Sequence, residues 1–328
     1  MIEKTVLGRL RAVRAQRAQR ARHWLPHKRA GSEQGVQDAT IRVATYNIHK
    51  GVLREYFGLK RIPRIHELRT RLHELDADLV FLQEVQGRHD RHERRFEHWP
   101  VEPQEMFLAR SPSPSHKHDF ESVYGQNATY LHGHHGNALL SKFPIVRHEQ
   151  RDISDHAMEK RGLLHCVTRI GGRDVHCFVV HFGLFAGSRR RQSEALIEWI
   201  ADEVPADAPL IIAGDFNDWR EKLSDDLCAA LGTVEVFDTV KAPRRLPQRM
   251  ANFVQAQLNG FGVELERDVF RVSRSIRAAR TFPALVPWLR MDRIYQRGFA
   301  VQHARVLRGP TWARLSDHSP LVADLTLL

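Results

Sequence analysis

The sequence predicts an α/β protein in which mixed sheets are flanked by helices. Three observations carry that prediction. Short apolar runs rich in Val, Ile and Phe recur along the chain, each bounded by polar turn residues. Two stretches between them repeat their apolar residues at helical spacing. Finally, 42% of the 328 residues are hydrophobic and 27% charged, which allows a large core and excludes a disordered or fibrous chain.

In chain order, residues 1–40 read as a basic tail and linker, and 41–328 as one catalytic domain. The tail holds helix formers from Val6 to Arg22, with Val6, Leu10 and Val13 on one side, and then a Gly/Ser/Gln/Asp linker from Gly31 to Thr40. Strands are expected at Ile41 to Tyr46, Leu79 to Leu82, Ala138 to Leu140, Leu163 to Ile170, Val175 to His181, Leu210 to Ala213, Met291 to Tyr295 and Leu321 to Leu328. Helices are expected from Arg64 to Leu75, through Ile65, Leu68 and Leu72, and from Arg190 to Val204, through Leu196, Trp199 and Ile200. Gly87 to Glu121, Gly183 to Arg189 and the Arg-rich stretch Lys241 to Pro287 read as irregular, and loops of such length suit substrate walls. Trp199 and Phe178 read as core. Gly125 and Gly171-Gly172 read as turns, the latter setting Cys166 opposite Cys177.

Fifty Lys and Arg against 39 Asp and Glu give a net charge of +11, which favours polyanionic partners: nucleic acid or an anionic membrane lipid. Residues 1–30 carry nine of the basic residues against Glu3 alone, a net of +8. Three cysteines without a CxxC pair fit a reducing compartment. No apolar run approaches the roughly 20 residues of a membrane span. A cytoplasmic location is expected, with peripheral membrane contact through the tail as the other setting. No protein partner is inferable.

The chemistry lies in polar residues at the C-terminal ends of apolar strands: Asn47, Glu84, His181, Asp215 with Asn217, then Asp292 and the triplet Ser316-Asp317-His318. Any one of them alone reads as a turn former or cap. Their accumulation matters, because strand ends sharing one sheet edge converge there. Carboxylates, amides and two histidines without clustered Cys match a Mg²⁺ phosphoryl site better than a zinc site. His132, His134 and His135 lack the Cys or HExxH context of zinc and read as a polar loop beside a Gly136 turn.

The motifs resemble those of the endonuclease/exonuclease/phosphatase (deoxyribonuclease-I-like) superfamily, in the same order. They are Thr45-Tyr46-Asn47, Leu82-Gln83-Glu84-Val85, Gly136-Asn137-Ala138-Leu139-Leu140-Ser141, Val180-His181-Phe182, Gly214-Asp215-Phe216-Asn217, Asp292-Arg293-Ile294 and Ser316-Asp317-His318. The resemblance implies a four-layer α/β/β/α sandwich with two central mixed sheets. It implies that Glu84 holds Mg²⁺, or Mn²⁺ in its place, with Asn47 and Asp317 completing the shell. Asp215 would orient or deprotonate the attacking water, Asn217 would bind a phosphate oxygen, and Asp292 would pair with His318. His181 is the candidate acid for the leaving oxygen, since its place matches the deoxyribonuclease and sphingomyelinase branches. Tyr124, Asn137 and Arg161 are candidate substrate contacts. His49 stands where the AP endonuclease branch often has an acid, so one metal site is expected.

The fold hosts several substrate classes around nearly one catalytic set. The net charge and Arg244 to Arg280 favour a DNA endonuclease. A phospholipid or sphingomyelinase-like phosphodiesterase at an anionic membrane surface, or a small-molecule phosphatase, is the alternative. Phe282 to Leu289 would then be a membrane or acyl contact.

Overall fold

The computed structural model describes residues 40–54, 61–113, 119–157, 159–239 and 279–328. The expected tail helix and linker, and the Arg-rich stretch up to residue 278, lie outside the described residues. Along the chain run β1 (Thr40–Asn47), β2 (Val52–Arg54), β3 (Arg61–Pro63), α1 (Ile65–Glu74), β4 (Leu79–His89), α2 (Asp90–Arg95), α3 (Gln104–Ala109), β5 (Glu121–Tyr130), β6 (Gly133–Ser141), β7 (Ile145–Asp152), β8 (Gly162–Ile170) and β9 (Arg173–His181). There follow α4 (Ala186–Glu203), β10 (Leu210–Asp215), α5 (Ser224–Leu231), β11 (Val234–Glu235), α6 (Val236–Thr239), β12 (Asp292–Arg297), β13 (Phe299–Val306), α7 (Pro310–Ala313) and β14 (Leu321–Leu327).

Two six-stranded sheets form, in the orders β13-β14-β1-β4-β6-β5 and β11-β12-β10-β9-β8-β7. Each is mixed: β1 with β4 and β9 with β10 are parallel pairs inside otherwise antiparallel sheets. The period-2 alternation of the inner strands sorts their side chains into three cores. Ile41, Val43, Phe81, Ile211 and Ala213 point between the sheets. Ala44, Tyr46, Val80 and Leu82 pack instead under α1 and α3, whose Leu68, Leu72 and Phe107 join them. On the opposite face Phe178, Leu210 and Ile212 meet Leu196 and Trp199 of α4 and Leu227 of α5. Helix, sheet, sheet and helix are thus stacked in the expected four layers.

Every expected strand and both expected helices form. The large-sheet strands absent from the expectation are β5, β7, β11 and β13, and these are the edges of the two sheets. An edge strand needs little apolar surface, and residues 146–150 of β7 are all exposed. Gly87 to Glu121, expected to be irregular, instead contains the end of β4 and the short helices α2 and α3. Gly125 and Gly136 are not turns but lie within β5 and β6, paired with Asn137 and Gln126, and a Cβ on Gly136 would meet the Gly125 carbonyl at 1.8 Å. His134 and His135 likewise belong to strand β6 and not to a loop. Gly171 and Gly172 do turn the chain with positive φ, and Cys166 pairs in register with Cys177 as two buried, reduced thiols. No helix among the described residues is long and apolar enough to cross a membrane.

Candidate active site

Parallel pairing places strand C-termini side by side. Asn47, the last residue of β1, pairs with Gln83 of β4. In the second sheet Asp215 lies between His181 and Asp292, the three occupying one row across β9, β10 and β12. Gly214 makes this close row possible: its φ is +152°, and a Cβ there would meet the Val180 carbonyl at 1.9 Å. Ser316 donates from Oγ to the Asn47 carbonyl at 2.7 Å, which carries Asp317 and His318 over the same edge.

The buried centre is Asp215. Asn47 donates from Nδ2 to its Oδ2 at 3.2 Å, and the Asn217 amide donates to its Oδ1 at 2.9 Å. His181 Nε2 and His318 Nε2 stand 3.6 and 3.7 Å from Oδ2. Burial pushes the Asp215 carboxyl up to about 6, with the His318 charge opposing and the Asp292 charge reinforcing the rise. His318 hydrogen-bonds through Nδ1 to Asp292 Oδ2 at 2.8 Å. Burial works against its charge, but the Asp292 and Asp215 carboxylates outweigh it and raise His318 to about 10. His181 goes the other way: burial, with the Arg161 charge, holds it well below the ordinary imidazole range.

A second cluster lies on the open side. A bulge in β4 between Leu82 and Val85 puts Glu84 at φ 56°, which re-aims its carboxylate off the ladder. The turn His49–Gly51 follows β1, with His49 and Lys50 both at positive φ. Lys50 Nζ lies on Glu84 Oε2, and His49 Nδ1 is 3.3 Å from Asp317 Oδ1. Burial opposes ionisation of Glu84, yet the charges of Lys50, His181 and His49 override it and hold the carboxyl far below its usual range. Burial opposes ionisation of Asp317 too, yet the His49 hydrogen bond together with the charges of His318 and His49 lowers it. Of the seven non-glycine residues with positive φ among the described residues, four are His49, Lys50, Glu84 and Asn217, so strain concentrates at this edge.

The remaining candidates separate. Asn217 donates from Nδ2 to the Phe182 carbonyl at 2.9 Å, which leaves one amide hydrogen free for a phosphate. Arg161 shares that carbonyl at 3.1 Å and pairs with Glu159 at 3.2 Å, so it is a held charge beside His181 and not a solvated loop residue. Tyr124 is hydrogen-bonded to His134 Nδ1 at 2.9 Å. Asn137 has both its amide bonds inside the fold. It is fully buried and donates across to the carbonyls of Gly162 and Val179 at 2.9 and 3.4 Å, tying the two sheets together. Lys50 went unselected in the sequence, although a cation three residues past a strand-end Asn, among acids, was a signal there to use, and Ser316 appeared only within its motif, without a role.

Two sheets that meet face to face and pool carboxylates, amides and histidines at one edge define a hydrolytic class of α/β/β/α sandwich. A profile of the Endonuclease/Exonuclease/phosphatase family matches residues 44–318, and the chain belongs to that family. Members of this family are phosphoester hydrolases, typically dependent on a divalent metal. The chain is 36% identical over 294 residues to the uncharacterized protein YbhP of Escherichia coli K12, covering 89% of this chain and 98% of that one. An endonuclease/exonuclease/phosphatase structure from Beutenbergia cavernae superposes with TM-score 0.62 at 19% identity, covering 88% of this chain and 72% of the other. The mannosyl-6-phosphatase Bt3783 of Bacteroides thetaiotaomicron gives 0.57 at 16% identity, with 87% and 99% covered.

Proposed function

We propose that this chain hydrolyses phosphodiesters with the help of Mg²⁺ or Mn²⁺. The observation that carries the reading is the buried Asp215, raised to about 6 and flanked by two histidines of opposite charge state. A carboxylate at that value is ionised at neutral pH and still basic enough to take a proton from the attacking water. His318 is an imidazolium at neutral pH, and Asp292 holds it facing Asp215, where it offsets charge building on the phosphate. Asn217 and Arg161, held on one carbonyl, supply donors on the same side. His181 is neutral as it stands, so its role as acid for the leaving oxygen requires a proton gained when the substrate's negative charge enters.

The donor set fits a hard divalent cation. Glu84 and Asp317 are held ionised, and with the Asn47 carbonyl oxygen they form an oxygen group suited to Mg²⁺ or Mn²⁺. Ligand atoms of Asp215, Asp292 and His318 also lie within 4.8 Å of one another. A protonated His318 has no lone pair to give, however, so that row moves protons and Glu84 is the ligand. When bound, the cation supplies Lewis-acid stabilisation of the phosphate oxygens.

The net charge of +11 favours DNA as substrate. A phospholipid diester is the second reading, favoured by the exposure of Leu285, Val286 and Trp288 beside the site. The name of the Bacteroides neighbour makes a sugar phosphate the third substrate to assay. The test is Mg²⁺-dependent nicking of supercoiled plasmid, run beside a small diester, a phospholipid and a sugar phosphate, with EDTA and Asp215→Ala as controls. Nicking abolished by both controls makes the protein a DNA endonuclease. Turnover of another substrate without nicking moves the choice, and no metal-dependent turnover of any of them overturns the reading.

A further inference from the structure

Three neighbouring strands of the second sheet each continue into a loop at the catalytic edge, and each loop exposes large apolar side chains. After His181 of β9 come Leu184 and Phe185, the latter 64% exposed. Trp219 follows Asn217 beyond β10. Leu285, Val286 and Trp288 precede Asp292 of β12 and are 57%, 68% and 61% exposed. The loops are stitched to one another and to the site. Arg189 donates to the Leu184 carbonyl and stacks its guanidinium 4.7 Å over Trp219. Arg290 pairs with Glu221 at 3.0 Å, joining the Trp219 loop to the third. The third loop leans on the catalytic row through Phe282, whose ring lies 4.9 Å from that of His318, and the Ala284 amide donates to the Asp317 carbonyl.

Half of the twelve exposed large hydrophobic residues among the described residues therefore lie on the loops at this one polar edge. Exposed apolar groups concentrated in this way mark an interaction surface. Three features select the occupant. Separate Trp, Phe, Leu and Val tips around a polar centre enter the headgroup and acyl boundary of a bilayer one by one, whereas they offer nothing to the phosphates of a duplex. A second copy seated here would seal Asp215 away from any substrate. The exposed Lys160, Arg220 and Lys222 lie on or beside these loops, and positive charge there matches an anionic leaflet.

We infer that the three loops form a docking collar that seats the mouth of the site on an anionic phospholipid bilayer, so that the diester is taken from the headgroup layer. The inference rests on the phosphodiesterase reading and takes its phospholipid alternative in place of DNA, but its test does not depend on that reading. Full-length protein is sedimented with vesicles of phosphatidylglycerol and phosphatidylcholine in EDTA, at about 0.5 M NaCl to screen attraction by the basic tail. Wild type is expected to pellet with the vesicles. L285S/V286S/W288S and, separately, L184S/F185S are expected to lose about tenfold or more of that partition. Both variants are expected to keep Mg²⁺-dependent turnover of a small soluble diester within about twofold of wild type, which also reports their folding.

Wild type that stays in the supernatant while turning over the diester overturns the collar and leaves the phosphodiesterase reading intact. Vesicle binding that persists in both variants overturns it as well, as does self-association that replaces vesicle binding in wild type and disappears in the variants. Vesicle binding by a protein without diester turnover supports the collar and refutes only the reaction.

Discussion

The site has a buried half and an open half, and they hold their charges by different means. His181, Asp215, Asp292 and His318 have side chains at most 7% exposed and neutralise one another within the fold. His49, Lys50, Glu84 and Asp317 are 18% to 37% exposed, and each acid there is covered by a cation on the turn after β1. The buried half is therefore preset: packing decides which group carries a proton. In the proposed reading the open half works by exchange, since a divalent cation at Glu84 would compete with the Lys50 ammonium already paired there.

The largest expected effect comes from breaking the preset half. Asp215→Ala and His181→Ala each lower turnover of a diester by about 10²–10⁴-fold while circular dichroism and melting report an intact fold. A wild-type rate in either variant removes its assigned role. Next, Glu84→Gln weakens Mn²⁺ binding by roughly 10–100-fold in calorimetric titration, and unchanged affinity would place the metal elsewhere. Lys50→Met has the opposite sign. Removal of the competing cation tightens Mn²⁺ binding by roughly two- to fivefold, the worth of a partly exposed ion pair. Looser binding would show that Lys50 supports the site and does not compete for it.

The pH dependence sharpens the comparison because the buried half sets it. Asp215 must lose its proton, which puts the acid limb near 6, and His318 must keep its proton, which puts the alkaline limb near 10. For stability, the raised His318 value means that its contribution is complete below 6.5 and is lost as pH rises through 10. Asp292→Asn removes the first attraction on that imidazolium, so the alkaline limb moves to lower pH. The smallest effect is expected from deleting residues 1–38: polyanion binding weakens while hydrolysis of a small diester persists.

Much of this was legible in the sequence, for identifiable reasons. Inner strands such as Leu210 to Ala213 are apolar on both faces, so their ends, and the Asp215 that follows, stand out without any structure. Edge strands carry no such signal, and β7 with its exposed Arg147, His148 and Glu149 reads like a loop. Asn47, His181 and Asp215 do stand at strand C-termini, as their sequence context suggests, whereas Glu84 sits at a bulge inside β4, Asp292 opens β12 and His318 precedes β14. The charge states were not legible. Nothing in the spacing of His181 and His318 says that one is buried against Arg161 and the other against two carboxylates. The inter-sheet hydrogen bonds of Asn137 were equally invisible, because an amide in a strand looks alike in sequence whatever it bonds to.

The measurement that tests the central claim most directly is the Mg²⁺-dependent rate of small-diester hydrolysis across pH, in wild type and in Asp215→Asn. The account predicts a bell with an acid limb near 6 in wild type, and loss of most activity together with that limb in the variant. An acid limb unchanged in Asp215→Asn at comparable rate would contradict it, since the proton would then be leaving some group other than the one the two sheets bury at their shared edge.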